Sequence, residues 1–215
     1  MKGIIHSSQE AYLTAQRKAP DELLLEMEEF ALENKVPILN WNAGDLLETL
    51  ITTYRPVRVL EIGTAIAYSS IRIARQLKKK AKLHTIEKST VNIKLAGEFI
   101  NRAKLSDKIK ILEGDALEIM PVLKKKYDFI FLDADKLDYE KLFQYSIALL
   151  KKGGVIFIDN LLWHGYAASG NVPAKQKNST QIIRDFNKQF LNTPSLKTTI
   201  LPVGDGIGIG IKVKK

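Results

Sequence analysis

Oxygen-bearing side chains follow two neighbouring apolar segments in the second half of the chain. They are Asp133, after the segment at 127–132, and Asp159 and Asn160, after the segment at 154–158. If both segments are parallel strands, their carboxyl ends meet at one edge of a sheet, and these three side chains lie close together. Carboxylate and amide oxygens are the hard ligands that Mg²⁺ and Ca²⁺ prefer. The pattern therefore predicts a site for a divalent metal ion.

Lys136 lies three residues beyond Asp133 and would lie beside such an ion. A divalent cation disfavours a neighbouring ammonium group, so the neutral amine could accept a proton as a general base. A solvated lysine at the start of the next helix explains the same position. The residues alone leave both interpretations open.

The turn after the apolar segment at 57–62 is a second candidate site. Glu61 lies at the end of this segment, Gly63 follows it, and a helical pattern begins near Ala67. Dinucleotide folds carry the motif GxGxxG here, because pyrophosphate needs close approach to the backbone. Only one of these glycines is present, and Glu61 would repel phosphate. An adenosine ligand with a sulfonium and an amino acid fits better, so a nicotinamide-dependent oxidoreductase ranks last.

Two further acidic residues end the segments predicted as the next strands. Glu87 follows the segment at 82–86, where a carboxylate can accept hydrogen bonds from ribose hydroxyls. The alternative is an acid that stabilises a helix N-terminus, and the turn at Gly63 favours the ribose role. Asp115 follows the segment at 109–112 and could bind an adenine amino group or cap the next helix. Both roles stay open, because one side chain can fill both.

The elements that would position these residues alternate along the chain. Predicted strands at 57–62, 82–86, 109–112, 127–132 and 154–158 are followed by predicted helices at 67–79, 89–103, 116–124, 138–150 and 178–191. This alternation predicts a parallel sheet with crossover helices. The chain ends in a hairpin pattern at 197–203 and 207–213, so one strand must run antiparallel. Its glycines, Gly208 and Gly210, indicate close approach by a helix or a ligand.

Composition predicts one domain over residues 1–215, with a helical N-terminal extension at 1–55 and an α/β core at 56–215. The extension could be a lid, an oligomerisation element or packing, and the pattern does not decide among these. Without cysteines, and without an apolar run near the ~18 residues that span a bilayer, the chain is expected to be cytoplasmic with no membrane partner. The net charge of +9 admits RNA as a partner, although lysines at helix ends explain it as well.

The motifs in chain order are EIGTAIAYSSIRIA, TIE, GDAL, FLDADK, DNLLWHG and LPVGDG. Over about residues 36–213 they resemble the class I S-adenosylmethionine-dependent O-methyltransferases of the catechol and caffeoyl-CoA type. VPI, EIGTAI and the ending TTILPVGDGI are most similar to the bacterial tRNA 5-hydroxyuridine methyltransferases. The resemblance implies a Rossmann-like, seven-stranded, mostly parallel sheet with an antiparallel last strand, helices on both faces, and a homodimer.

The resemblance also implies residue roles. The methyl donor S-adenosylmethionine would be bound by Leu39, Glu61, Gly63, Ser69, Glu87, Gly114, Asp115, Ala116 and Asp133. Mg²⁺ or Mn²⁺ would be held by Asp133, Asp159 and Asn160, with Lys136 and Asp133 as catalytic residues. Trp163 would either stack on the acceptor or cover the metal. Two positions depart from the family: Ala67 stands where glycine is usual, and Gly208 replaces an acid that holds a catechol hydroxyl in the animal catechol enzymes.

The function implied is Mg²⁺-dependent methylation of 5-hydroxyuridine to 5-methoxyuridine in the tRNA anticodon loop. A 5-hydroxyuracil offers two vicinal oxygens, as catechol does, so the metal chemistry does not separate these acceptors. The positive charge, with Lys175 and Lys177 beside the site, favours tRNA. The alternatives are O-methylation of a small catechol-like or phenolic substrate and, in another class, a non-catalytic nucleotide-fold binding protein in which Ala67 marks a lost donor site.

Overall fold

Seven strands form one sheet in this computed structural model, which describes residues 5–214, so residues 1–4 and 215 of the predicted domain lie outside it. The strands are β1 (Arg58–Ile62), β2 (Lys82–Glu87), β3 (Ile109–Glu113), β4 (Tyr127–Leu132), β5 (Leu150–Ile158), β6 (Leu196–Leu201) and β7 (Ile207–Lys212). Their order across the sheet is β3-β2-β1-β4-β5-β7-β6. The first five strands are mutually parallel, and β7 runs antiparallel to both β5 and β6. The predicted sheet and its antiparallel last strand are therefore confirmed.

Helices connect the strands and cover both faces of the sheet. The α-helices are α1 (Ser7–Ala15), α2 (Glu22–Asn34), α3 (Trp41–Tyr54), α4 (Tyr68–Gln76), α5 (Thr90–Arg102), α6 (Ala116–Val122), α7 (Tyr139–Leu149) and α8 (Lys177–Leu191). Short 3₁₀ segments occur at Lys136–Asp138, Trp163–Ala168 and Ala174–Gln176. No helix in the described residues is both long enough and apolar enough to span a membrane.

Two apolar cores follow from the alternation of side chains along buried strands. Val59 and Phe129 point into a core formed with α2, α3, α4 and α5, which we call the first core. Leu60 and Ile130 point to the opposite face, into a second core formed with α6, α7 and α8. Both faces of β1 and β4 are therefore covered, which explains why these strands read as continuous apolar runs.

The glycines of β7 face a helix, one of the two alternatives that the sequence left open. A Cβ at Gly208 would meet Leu161 and Phe190, and one at Gly210 would meet Phe190 again. Phe190 belongs to α8, so these glycines allow the helix to pack closely on the strand. Position 208 is buried against Leu161 and Phe190. Packing of the helix therefore accounts for a glycine at this position.

The predicted N-terminal helices are packing elements in α2 and α3, whose apolar faces belong to the first core. Arg72 of α4 links α3 to this core: its guanidinium donates hydrogen bonds to Glu48 and Asp45, both at 2.5 Å, and to the carbonyl of Trp41 at 3.2 Å. Burial alone would lower the pKa of Arg72, but the hydrogen bond that it donates to Glu48 raises the pKa above its usual value. A buried charge with these partners fixes α4, the helix that follows the Gly63 turn.

Gly44 on α3 tests how firmly Arg72 is held. We expect Gly44→Ala to lower the free energy of unfolding by about 1–3 kcal/mol, because an added Cβ would overlap the ion-paired guanidinium. Gly97 on α5 is the matched control, since a Cβ there meets no atom within 4 Å. Alanine at 97 should stabilise the protein by about 0.5–1 kcal/mol through its helix propensity. Urea denaturation measures both, and equal stability of the two variants would show that Arg72 moves aside freely.

Candidate active site

The predicted site residues form one row along the carboxyl edge of the sheet, which we call the catalytic edge. In spatial order the row runs from Asp115 after β3, through Glu87 and Gly63, to Asp133 and then Asp159. The strand order reverses between β1 and β4, so Gly63 and Asp133 lie on either side of the switch point. Ligands of open α/β sheets bind at such a point.

The turn after β1 has a backbone that ordinary residues rarely adopt. Gly63 has φ 99°, Ala65 has φ 47° and Ala67 has φ 69°. Ala67 is the buried residue just before α4, and its backbone is left-handed. Glycine adopts this conformation without strain, which explains why glycine is usual at this position. A Cβ at Gly63 would overlap the carbonyl oxygen of Asp133, and the N–H of Asp133 donates to Ile62 at 3.0 Å. The turn and the end of β4 are therefore in direct contact.

Glu61 lies beneath this turn and is completely buried. The hydroxyl of Ser69 donates to one of its oxygens at 2.6 Å, and the hydroxyl of Ser70 donates to the other. Burial raises the pKa of Glu61 to about 7, although both hydrogen bonds act in the opposite direction. In this structure Glu61 and Ser69 bind each other, and together they fix the first turn of α4.

The acids on the outer strands hold backbone N–H groups. Glu87 accepts hydrogen bonds from Ala65 at 2.9 Å and from Lys88 and Ser89 at 3.0 and 2.9 Å. It therefore ties the Gly63 turn to the end of β2. Asp115 accepts from Leu117 at 2.8 Å, so the capping role that the sequence left open is present. Ribose and adenine contacts of the two acids remain predictions.

Gly114 and Ala116 flank Asp115 on the catalytic edge, where Gly114 has φ 136° and Ala116 begins α6. Leu39 differs from the other predicted donor contacts, because its side chain is buried in the first core. The structure therefore brings together most of the predicted donor residues at one edge, with the Leu39 side chain turned into the protein.

The predicted metal ligands meet around Lys136. Its Nζ lies 2.5 Å from Oδ1 of Asn160 and 3.4 Å from Oδ1 of Asp133. Asp159 is buried, and its Oδ1 accepts the N–H of Asn160 at 2.6 Å. Burial and the negative charge of Asp133 raise the pKa of Asp159 to about 8. The Asp133 and Asn160 oxygens thus already share one cation, the lysine ammonium.

These side-chain oxygens fit a hard divalent metal ion. Within residues 5–214 no three His, Cys, Asp or Glu side chains are spaced to hold a metal, so the amide of Asn160 is needed to complete the set. Two carboxylates and an amide oxygen leave positions free for water or for an acceptor, which is the usual arrangement for Mg²⁺. A cation beside the buried Asp159 would also offset the repulsion from Asp133.

Tyr139 is a site residue that the sequence analysis missed. Its hydroxyl lies 2.8 Å from Nζ of Lys136 and donates to the carbonyl of Asp159 at 3.1 Å. The ring is fully buried, and Nζ lies 4.6 Å from its centroid. Tyr139 therefore holds the lysine against the end of β5. The sequence places it only near the start of the helix predicted at 138–150.

Asp205, in the hairpin turn before β7, was also missed. Its side chain accepts the backbone N–H of His164 at 2.5 Å and lies 3.4 Å from Nδ2 of Asn160. Its carbonyl accepts the N–H of Leu162 at 2.9 Å. The carboxylate thereby orients the Asn160 amide with Oδ1 toward Lys136. Only its place in a turn was visible in the sequence, and turns commonly carry Asp.

Trp163 covers the lysine from the other side. Nζ of Lys136 lies 5.9 Å from the indole centroid, and the ring packs on the second core. This placement agrees with its interpretation as an apolar cover, and stacking on an acceptor remains a prediction.

Beside these residues lies a cleft of about 380 Å³. Its walls include Glu10 and Leu13 of α1, Asn40 and Asn42 before and in α3, and Asp159, Asn160, His164 and Asp205. The cleft thus opens on two of the three predicted metal ligands, Asp159 and Asn160.

Comparison with known proteins shows similarity to O-methyltransferases. A family model described as O-methyltransferase matches residues 14–213. The caffeoyl-CoA O-methyltransferase of Medicago sativa is 32% identical over 206 residues, which cover 90% of this chain and 83% of that protein. A catechol O-methyltransferase of Niastella koreensis is 29% identical over 218 residues, which cover 99% of this chain and 95% of that protein.

A solved structure shares the whole fold. The O-methyltransferase TomG of Streptomyces achromogenes, involved in tomaymycin synthesis, was determined in complex with SAM (S-adenosylmethionine). It matches with a TM-score of 0.84 and 26% identity, and the match covers 96% of each chain.

Gly63 provides a test of the contact between the turn and β4. We expect Gly63→Ala to cost about 1–3 kcal/mol more stability than Gly153→Ala, and to weaken binding of S-adenosylmethionine in calorimetry. Both glycines have positive φ, but a Cβ at Gly153 meets no atom within 4 Å. The control therefore carries the conformational strain of about 1–2 kcal/mol without the overlap. Equal losses of stability in both variants would contradict the contact with Asp133.

Proposed function

Because this chain belongs to the O-methyltransferase family, we propose that it transfers a methyl group from S-adenosylmethionine to a hydroxyl that has a vicinal oxygen neighbour. The acceptor we propose is 5-hydroxyuridine in the tRNA anticodon loop, with Mg²⁺ or Mn²⁺ as the metal. The observation that carries the chemistry is the row on the catalytic edge. There, the donor residues on β1, β2 and β3 adjoin the metal ligands on β4 and β5 at the switch point.

The donor would lie along the outer part of this row. Asp115 and Glu87 would bind the adenine and the ribose, and the Gly63 turn would bind the methionine part, which would bring the sulfonium next to Asp133. S-adenosylmethionine supplies the methyl group, and the acceptor oxygen forms the new bond to carbon as the carbon–sulfur bond breaks. Contact between Gly63 and Asp133 favours this step. It would hold the methyl donor and the acceptor side by side, which lowers the entropic part of the activation barrier.

The acceptor would lie over Asp133, Asp159 and Asn160. When bound there, Mg²⁺ would lower the pKa of the hydroxyl and hold its vicinal oxygen. A divalent ion bound there would favour the neutral amine of Lys136 over its ammonium form. The lone pair of that amine, at Nζ, would then accept the hydroxyl proton, and this atom lies among the ligand oxygens. Tyr139 would keep Nζ in place through its hydroxyl. Trp163 would exclude water from the lysine.

The cleft supports an acceptor larger than a phenol, since it is open and extends from Asn160 to α1. The exposed Lys175 and Lys177 lie where the chain enters α8, at the catalytic edge. A splayed base could therefore enter while its phosphates meet these lysines. The second candidate is a small catechol-like phenol, which the names of the relatives from Medicago sativa and Niastella koreensis favour.

A non-catalytic binding protein fits the structure less well. That alternative took Ala67 as the mark of a lost donor site. Ala67 nevertheless keeps the left-handed backbone that the turn needs, and Lys136 keeps its position among the metal ligands. Donor binding and catalysis are therefore both expected.

Asp159 tests the division between metal and donor sites. We expect Asp159→Asn to lower kcat at least about 100-fold, a barrier increase of about 2.7 kcal/mol, and to weaken Mn²⁺ binding measured by electron paramagnetic resonance. Calorimetry should show donor affinity within about threefold of wild type, because Asp159 is assigned to the metal only. Asp135→Asn is the matched control, since Asp135 is an exposed acid that caps the next turn. Loss of donor affinity with Asp159→Asn would contradict the assignment.

The acceptor is tested by methyl transfer from labelled S-adenosylmethionine to tRNA bearing 5-hydroxyuridine and to a panel of catechols. We expect label in tRNA, with loss on chelation and in Lys136→Ala. Transfer to tRNA should weaken steeply with salt, because phosphate contacts release counterions. Label in the catechols alone would replace the tRNA proposal by the second candidate, and no label in either would contradict both.

A further inference from the structure

The positive charge of the chain is concentrated on the edge of the sheet opposite the catalytic edge. The amino ends of the parallel strands lie there, and we call this surface the basic edge. It comprises residues 55–58, 77–82, 103–110, 123–128, 150–154, 192–197 and 212–214. These segments carry seventeen lysines and arginines and two aspartates. Since the net charge is +9, the rest of the chain has six more acids than bases.

Some of these cations bind carbonyl oxygens at the C-terminal ends of helices. Lys108 donates to the carbonyl of Leu77 at 2.8 Å, Lys126 to that of Ala148 at 2.5 Å, and Lys212 to that of Leu150 at 3.0 Å. Lysines at such carbonyls compensate the negative ends of helix dipoles. They have a structural role.

Other lysines on the basic edge have no such role. Within the described residues, Lys78, Lys79, Lys80, Lys124 and Lys125 are exposed and make no side-chain hydrogen bond or ion pair. One of the two aspartates on this edge, Asp128, is already bound by Lys151 at 2.6 Å. The basic edge therefore presents a cluster of unpaired positive charge.

The catalytic edge has the opposite balance. Its connections, residues 63–67, 87–90, 113–116, 133–139, 159–177 and 202–206, carry eight acids against four lysines. A polyanion would therefore be attracted mainly to the basic edge. Contacts of single phosphates with Lys175 and Lys177 would add only a local contribution to this electrostatic attraction.

We propose that the basic edge binds the phosphate backbone of the RNA acceptor, at a distance from the reacting base. This inference rests on the proposed tRNA substrate. The two edges lie about 20 Å apart, the length of a strand of six residues. Helix α8 runs between them and carries an exposed lysine near each end, Lys177 and Lys188, about 16 Å apart at 1.5 Å per residue. Lys188 also forms an ion pair with Asp185 at 3.4 Å. An RNA whose loop enters the cleft therefore has phosphates within reach of the basic edge.

The residue types fit backbone contact without base recognition. Lysine binds phosphate as a point charge. Among the described residues of the basic edge and the helix end before it, Tyr54 is the one exposed aromatic, and its hydroxyl donates to Gly153. The edge has no platform of aromatic side chains for unpaired bases, so it suits a stem of paired RNA. The continuation toward the cleft favours RNA over an anionic membrane, which would need no such link.

A four-lysine variant tests this surface. In the edge variant, Lys78, Lys79, Lys124 and Lys125 are changed to Gln. In the matched control the exposed residues Lys18, Lys35, Lys94 and Lys141, which lie away from the edge, are changed to Gln. Fluorescence anisotropy measures binding of full-length tRNA at several salt concentrations. Methylation of tRNA and of free 5-hydroxyuridine is measured in parallel.

The edge variant is expected to bind tRNA at least tenfold more weakly, and its slope of log K against log salt to fall by about 3, the loss of four phosphate contacts. Its methylation of free 5-hydroxyuridine and its thermal stability should equal those of the control. Equal tRNA binding by the two variants would overturn the proposal. Binding to vesicles of phosphatidylcholine and phosphatidylserine is measured as well. If the edge variant loses binding to these vesicles but keeps its binding to tRNA, the proposal is also overturned.

The same measurements separate this surface from the acceptor. If wild-type protein binds tRNA through the edge but does not methylate it, the surface is supported and the acceptor is wrong. If the edge variant methylates tRNA as the control does, the surface is wrong and the acceptor stands.

Discussion

The candidate site depends on one close contact, between Gly63 at the end of β1 and the carbonyl of Asp133 at the end of β4. No side chain fits between them, so the first turn and the first metal-ligand candidate are neighbours across the switch point of the sheet. The chain can leave this contact only through left-handed residues, Gly63, Ala65 and Ala67. It then enters α4. This helix is fixed by the hydrogen bond from Ser69 to buried Glu61 and by the one from buried Arg72 to Glu48. The predicted donor and acceptor sites are thereby adjacent.

The same topology sorts charge between the two edges of the sheet. Helices of a parallel α/β sheet begin at the carboxyl ends of strands and end at the amino ends. Acids such as Asp115 and Asp135 cap helix starts on the catalytic edge, whereas Lys108 and Lys126 bind helix ends on the opposite edge. The net charge of +9 is thus the sum of a strongly basic edge and a remainder with six more acids than bases. This distribution favours the proposed RNA partner at the far edge and gives little support for attraction at the catalytic edge itself.

Apolar periodicity was enough to predict the strands and to show which strand ends carry the candidate site residues. The carboxyl-end rule then placed Asp133, Asp159 and Asn160 together without any fold knowledge. The start of β5 was missed, because Lys151, Lys152 and Gly153 interrupt the apolar pattern although the strand begins at Leu150. Tyr139 and Asp205 were missed for another reason. Their roles come from contacts with Lys136 and Asn160 that close only in the folded sheet, and their residue types already had ordinary explanations in a helix and a turn.

The last hairpin has a larger part in the site than its position in the chain suggests. Asn160, Trp163 and His164 all have positive φ, a backbone that costs free energy in residues with side chains. The hairpin compensates for this cost, since Asp205 and Gly206 accept the N–H groups of Leu162 and Leu161, and the Asp205 side chain holds His164. The orientation of the Asn160 amide is consequently set by β6 and β7 as well as by β5. The antiparallel end of the sheet therefore shapes the predicted acceptor half of the site, while the parallel strands β1, β2 and β3 shape the predicted donor half.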